Sequence, residues 1–339
     1  MPQMIVRTNY PLPYGVRELD PAVTAEAGPP RQVRCYVQNC RHLLRVPTKA
    51  FRGDICPDHD IRCHNSFAGS TYSYADPKRN VIASPVQFGT RVLQHPFKYE
   101  SHRLGLEKSE DTLTWNVFRS LQEAGQLAAL VERITGEQSA VEPDLYLWGI
   151  RLTDDEFEAW PLLIAARERF ERQLPVERPY TEPDIALHLP GRYLILIEAK
   201  FTSPNTYYEP GPRKDAKSLT FDELLGRYTD PALQILAPEQ ARREPRVYQQ
   251  LWRNTIFAEW MALADHPGTK AYHCNLVRDG EELTTEPEFR RLISPAFQDR
   301  FHRITWEQIY HLAAGCDRLK TMRRYLVNKT AGLRPAFRL

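Results

Sequence analysis

The sequence predicts an α/β or α+β domain built around a small mixed sheet, preceded by a small metal-stabilised module. Three observations carry this prediction. Helical and strand patterns alternate as helix, strand hairpin, helix, strand and helix. The stretch RYLILIEAKF, residues 192–201, holds five consecutive bulky residues, Tyr193 to Ile197, the pattern of a strand buried on both faces. Four of the six cysteines, Cys35, Cys40, Cys56 and Cys63, fall in one short window, and in a chain without a visible secretory signal such a cluster points to metal rather than to disulfides.

Composition sets the outer bounds. With 339 residues the chain is long enough for one large domain or for two. An apolar content of 42% and a charged content of 26% are those of an ordinary soluble protein. The net charge of +2 covers a high density of both signs, so it neither requires nor excludes a nucleic-acid partner. No apolar stretch approaches the roughly 18 residues that span a bilayer, so no membrane partner is expected. The first residues lack the charged and then apolar pattern of a secretory signal, which makes the cytoplasm the expected location.

Along the chain, residues 1–30 are Pro-rich without periodicity and read as an extended arm. Residues 31–66 hold the cysteines and histidines with few large apolar residues, so a metal would have to stand in for a core. Residues 67–104 connect this module to a domain over 105–315, and a basic tail, 316–339, closes the chain. Within the domain, Leu113, Val117, Phe118 and Leu121 follow helical spacing, with Ser109 and the acidic pair Glu110-Asp111 suited to a helix start. A second helical stretch runs through residues 154–174, broken or kinked at Pro161. Two strands over 184–189 and 192–201 are joined by the turn pair Pro190-Gly191. A helix starting near Pro245, a strand over 270–278 and a helix beginning near Thr305 complete the order.

Charge at the end of the buried strand needs a reason, because a buried charge is unfavourable unless it is paired or bound to metal. Side chains alternate along a strand, so Glu198 and Lys200 share a face. Folding the hairpin about Pro190-Gly191 places Asp184 opposite Ile197 or Glu198. Two carboxylates at one sheet end repel each other, and a hard divalent cation relieves that repulsion.

Pro183-Asp184, thirteen intervening residues and then Glu198-Ala199-Lys200 resembles the PD-(D/E)xK motif of the restriction-endonuclease-like nucleases. The resemblance implies a mixed four-stranded sheet flanked by helices. It also implies a Mg²⁺ (or Mn²⁺) ion bound by Asp184, Glu198 and the Ala199 backbone carbonyl, with Lys200 assisting the attacking water. A Glu on the first core helix, for which Glu110 is the best match, would add to the metal site. A polar residue on the helix after the Lys would complete the catalytic group. Gln250 is the counterpart taken here, with Gln249 and Arg253 as neighbours that also fit.

The window from Cys35 to His64 resembles a zinc ribbon, a frequent appendage of nucleic-acid enzymes. Structural zinc takes four Cys or His ligands in two short pairs. Cys35 and Cys40 make the first pair. Cys56 with His59 is the favoured second pair, Cys63 is the rival fourth ligand, and His64 is a further alternative. Arginines and lysines surround both modules, among them Arg34, Arg41 and Arg52 in the first and Arg318, Lys320, Lys329 and Arg338 in the tail, and such clusters suit phosphate contacts. The expected function is a Mg²⁺-dependent endonuclease hydrolysing nucleic acid, with DNA the favoured substrate, structural Zn²⁺ in the N-terminal module and a homodimer the arrangement that favours double-strand cutting. The alternative is a catalytically inactive nuclease-like protein that binds nucleic acid or acts as a scaffold.

Overall fold

A computed structural model describes Leu19 and residues 32–48, 52–64, 71–88, 104–152, 157–172, 181–208, 220–244 and 246–339. The arm assigned to residues 1–30 lies outside the described residues except for Leu19, and so does Pro245. The chain divides into two compact units, residues 1–124 with 310–339 and residues 125–309. The span 105–315, expected as one domain, therefore does not coincide with one compact unit.

The first unit opens with two short antiparallel pairs. Strand β1 (Gln32–Arg34) pairs with β2 (Leu43–Arg45), Val33 lying opposite Leu44, and β3 (Ile61–Cys63) pairs with β4 (Tyr72–Tyr74), Ile61 lying opposite Tyr74. Asn39 at φ 62° and Asp60 at φ 57° turn the chain next to these strands; Asn and Asp are the non-glycine residues that tolerate this left-handed region best. The module was expected to lack a core, and it has one. Val33, Tyr36, Leu44, Ile61, Tyr72 and Tyr74 are buried together with the four cysteines and Leu333. Two of these aromatics come from β4, beyond residue 66, so the stretch after it is part of the fold and not only a connector.

Helix α1 (Glu110–Ala124) forms where its spacing predicts, with Leu113, Val117, Phe118 and Leu121 fully buried. The Ser109 hydroxyl accepts the Thr112 N–H at 3.2 Å and caps the helix. The stretch 316–339 is no tail. Residues Lys320–Asn328 form a helix that buries Met322, Tyr325 and Leu326, one face at helical spacing. Lys329, counted among the tail's surface charges, is only 1% exposed. Its ammonium lies 3.2 Å from the Glu107 carboxylate and donates to the Asn80 side-chain oxygen at 3.0 Å. Burial pulls the Lys329 pKa down, but the Glu107 carboxylate and the Tyr325 hydroxyl outweigh it and leave the ammonium raised above its ordinary value. Here a basic residue is an internal brace, not a phosphate contact. Replacing Lys329 by Met strands a buried carboxylate and is expected to lower the unfolding free energy by about 3–5 kcal/mol. Urea denaturation measures this, and the double change Lys329→Met with Glu107→Leu should recover part of the loss.

The second unit is a seven-stranded mixed sheet with helices. Its elements are α2 (Leu127–Thr135), β5 (Asp144–Leu147), β6 (Ile150–Leu152), β7 (Phe157–Ala159), α3 (Pro161–Glu171), β8 (Ile185–Leu189), β9 (Tyr193–Ala199), β10 (Tyr207–Tyr208), α4 (Phe221–Arg227), β11 (Val247–Tyr248), α5 (Gln249–Asp265), β12 (Lys270–Val277) and β13 (Phe301–Thr305). The sheet order is β13-β12-β9-β8-β5-β6-β7. The β13, β12 and β9 strands run parallel, and every other pairing is antiparallel. Seven strands stand where four were expected. Two of the additional strands come from a segment read as helical or left unassigned. Trp148 at φ 53° and Gly149 at φ 78° make the β5–β6 turn, with positive φ at both central residues as a two-residue hairpin requires. The helix α3 begins only at Pro161, in the first helical position, where the missing N–H costs nothing.

At the centre lies β9, with all seven residues buried. Ile185 faces Ile197 across the β8–β9 turn, and continuing this register brings Asp184 level with Glu198. Helix α5 packs on β9 and β12. Leu194 and Leu196 of β9 join Leu251, Trp252, Ile256 and Phe257 of α5 in one apolar cluster. Glu198 continues the same face of β9, two residues beyond Leu196.

Candidate active site

The sheet's register, and not a loop, sets the site. Glu198 is 1% exposed and Lys200 8% exposed, and the Lys200 ammonium donates to Glu198 Oε1 at 2.5 Å. Two residues of α5 complete the carboxylate's surroundings. The Gln250 amide donates to Oε1 at 2.5 Å and the Asn254 amide to Oε2 at 2.8 Å. Gln250 and Asn254 are four residues apart and so share one helix face. Sequence reasoning reached Gln250 and missed Asn254. The signal was there: Asn254 repeats the polar choice of Gln250 one turn later, on the same helix face.

Asp184 is half-buried, and its Oδ2 accepts the Ala199 N–H at 2.9 Å. The carboxylate is thus tied to the peptide that joins Glu198 to Ala199. The strand's exit is tied down as well. The Lys200 N–H donates to the Leu276 carbonyl at 2.7 Å, the Trp306 indole donates to the Lys200 carbonyl at 3.0 Å, and Arg278 Nε donates to the Phe201 carbonyl at 2.8 Å. Two carboxylates and an ammonium are therefore held on rigid backbone at one end of the sheet. Hard oxygen donors of this kind suit Mg²⁺ or Mn²⁺.

Arg253, which also fitted the helix position, serves elsewhere. Its Nε donates to the Thr181 hydroxyl at 2.8 Å, its guanidinium lies 3.9 Å from Glu171 and 5.7 Å from the Tyr228 ring centroid. Glu171 is fully buried and accepts the Thr181 N–H at 2.8 Å and the Tyr228 hydroxyl at 2.7 Å. This network fixes Thr181, three residues before Asp184. Glu110, assigned to the metal by resemblance, opens α1 in the first unit, half-buried at a helix start where a carboxylate is electrostatically favoured.

A family model described as a restriction endonuclease associating with ARP matches residues 151–329, more than half of the chain. The chain belongs to that restriction-endonuclease family. The matched span takes in Asp184, Glu198, Lys200, Gln250 and Asn254 and stops short of the cysteine cluster, which lies N-terminal to it. No curated protein and no solved structure matches the chain.

Beyond that family span, Cys35, Cys40, Cys56 and His59 come together, each offering a ligand atom within 4.8 Å of the others. The Cys56 sulfur lies 3.2 Å from His59 Nδ1 and 3.7 Å from the Cys40 sulfur, and the Cys35 sulfur lies 3.4 Å from the same His59 nitrogen. The Cys63 thiol points to the Arg45 carbonyl at 3.5 Å, and it is not one of the four. His42 pairs with Asp58 on the surface at 2.9 Å. A hydrogen bond from Cys35 draws the Cys56 thiol down to about 6, against its burial, while the same contact and burial raise Cys35. Three thiols and an imidazole gathered this closely form a donor set that could hold a soft cation.

The role of Arg253 is open to a direct measurement. Arg253→Met leaves the Glu171 and Thr181 groups short of their cationic partner and is expected to cost about 1–3 kcal/mol of stability, read from denaturant midpoints.

Proposed function

We propose that the chain is a divalent-metal-dependent endonuclease that hydrolyses the phosphodiester backbone of nucleic acid, DNA in the first instance. One observation supports this most: in a restriction-endonuclease family, Asp184 and Glu198 stand level across the β8–β9 turn, with Lys200 bonded to Glu198. We read β5, β8, β9 and β12, with α5 between the last two, as the four-stranded core of a PD-(D/E)xK nuclease. On this reading β13, β6 and β7 are additions to its two edges.

Asp184, Glu198 and the Ala199 carbonyl would hold Mg²⁺ or Mn²⁺. Bound there, the ion lowers the pKa of a coordinated water and neutralises phosphate charge. The chain's own groups do the rest. Asp184, tied to the Ala199 N–H, keeps its carboxylate on the strand end. The brace of Gln250 and Asn254 fixes the orientation of Glu198, so the metal-binding geometry is formed before substrate arrives. Lys200, held against Glu198, orients the attacking water and stabilises the negative charge that builds on the phosphate. Water's oxygen bonds to phosphorus as the bond to the leaving sugar oxygen breaks.

We further propose that Cys35, Cys40, Cys56 and His59 hold a structural Zn²⁺, and that the small module carrying it grips nucleic acid. Arg41 and Arg52 are exposed on it and available for phosphate contacts. A double-strand cut by a chain with one such site would favour a dimer.

Plasmid and oligonucleotide substrates incubated with Mg²⁺ or Mn²⁺ should be cut, and EDTA should stop the reaction. Asp184→Ala and Lys200→Ala should each slow cleavage by at least about 10²–10³-fold. Binding without cutting by the wild-type chain would point to the scaffold alternative, and equal cutting by the variants would remove the assigned site. Metal content gives a separate check on the module. Cys56→Ser should lose its zinc on purification, whereas Cys63→Ser should retain it.

A further inference from the structure

We propose that the carboxylate site takes a single divalent ion, and that Gln250 and Asn254 enforce this number by occupying Glu198. The inference rests on the metal-binding reading above and goes beyond it in assigning the stoichiometry and the residues that set it.

An ionised carboxylate offers about four lone-pair positions, two on each oxygen. On Glu198, Lys200 and Gln250 take both positions on Oε1, and Asn254 takes one on Oε2. One position is left. Paired-ion sites hold their metals roughly 3.5–4 Å apart, and a carboxylate between them gives one oxygen to each. Glu198 cannot do this while Oε1 is filled by an ammonium and an amide. The amides must also present their N–H groups here, because a carboxylate only accepts. The positive ends of both dipoles therefore face the Glu198 oxygens.

The inventory of donors agrees. Among the described residues, no group of three or more Asp, Glu, His or Cys ligand atoms within 4.8 Å of one another includes Asp184 or Glu198. Asp184 and Glu198 with Lys200 carry a formal charge of −1; one divalent ion brings the group to +1, and two would bring it to +3 beside the ammonium. Gln250 stands in the first turn of the 17-residue helix α5, whose positive end opposes a second cation further.

The test uses the full chain with its zinc loaded, titrated with Mn²⁺ and followed by electron paramagnetic resonance, with Asp184→Asn titrated in parallel as the blank. The expected result is one Mn²⁺ equivalent present in the wild type and missing from the variant, with a mononuclear spectrum. Two missing equivalents with an exchange-coupled spectrum would overturn the proposal. Identical titrations would remove the metal site itself and the proposal with it, a distinguishable failure. Asn254→Asp places a third carboxylate beside Glu198 and should raise the stoichiometry from one to two. If circular dichroism shows that Asn254→Asp does not fold, Gln250→Glu at the half-buried position makes the same comparison. A folded variant that still binds one ion would show that the amides do not set the number.

Discussion

A carboxylate taken out of water at the end of a fully buried strand is the constraint on which the second unit is organised. Leaving Glu198 unpaired there would cost several kcal/mol. Its three donors come from two elements far apart in the chain: Lys200 from the strand's own continuation, Gln250 and Asn254 from α5. Each donor has a geometric consequence. Lys200 has to leave the strand without turning away, and the Trp306 and Leu276 hydrogen bonds keep it there. Helix α5 has to begin where its first turn reaches the strand end, and its apolar residues then fall on Leu194 and Leu196. The packing of α5 and the polar site are therefore one solution to one problem.

Much of this was legible in the chain because it is local. An unbroken run of bulky residues bounded by Pro190-Gly191 fixes a buried hairpin, and a tight turn fixes the register, so the two carboxylates align by counting residues. What was hidden depends on pairing between distant segments. The strands β6 and β7, at one side of the sheet, are three residues each, too short for a period to declare itself. The basic C-terminal stretch looked like a tail because its net charge masked three apolar residues at helical spacing. Among the rival fourth ligands, spacing alone could not choose between His59 and Cys63. Backbone pairing decides where each points: Cys63 lies within β3, whereas His59 sits in the turn before it, where the Asp60 N–H bonds back to the Cys56 carbonyl at 2.9 Å.

Two buried acids show how the same chemistry serves opposite ends. Glu107 accepts from Lys329 and the Tyr74 hydroxyl on one oxygen, and from the Thr330 N–H and hydroxyl on the other. All of its roughly four acceptor positions are filled, the charge is neutralised, and nothing further can bind: it is a structural brace. Glu198 has the same degree of burial and the same kind of ammonium partner, but its neighbours stop one position short. Filling that last position with another protein donor would make the strand end as inert as Glu107. Leaving two or more open would expose a buried charge at a cost the fold has no visible means to offset. A single remaining acceptor position, next to a second carboxylate at the same level of the sheet, keeps Glu198 stable in the folded chain and is the position the proposed cation would take.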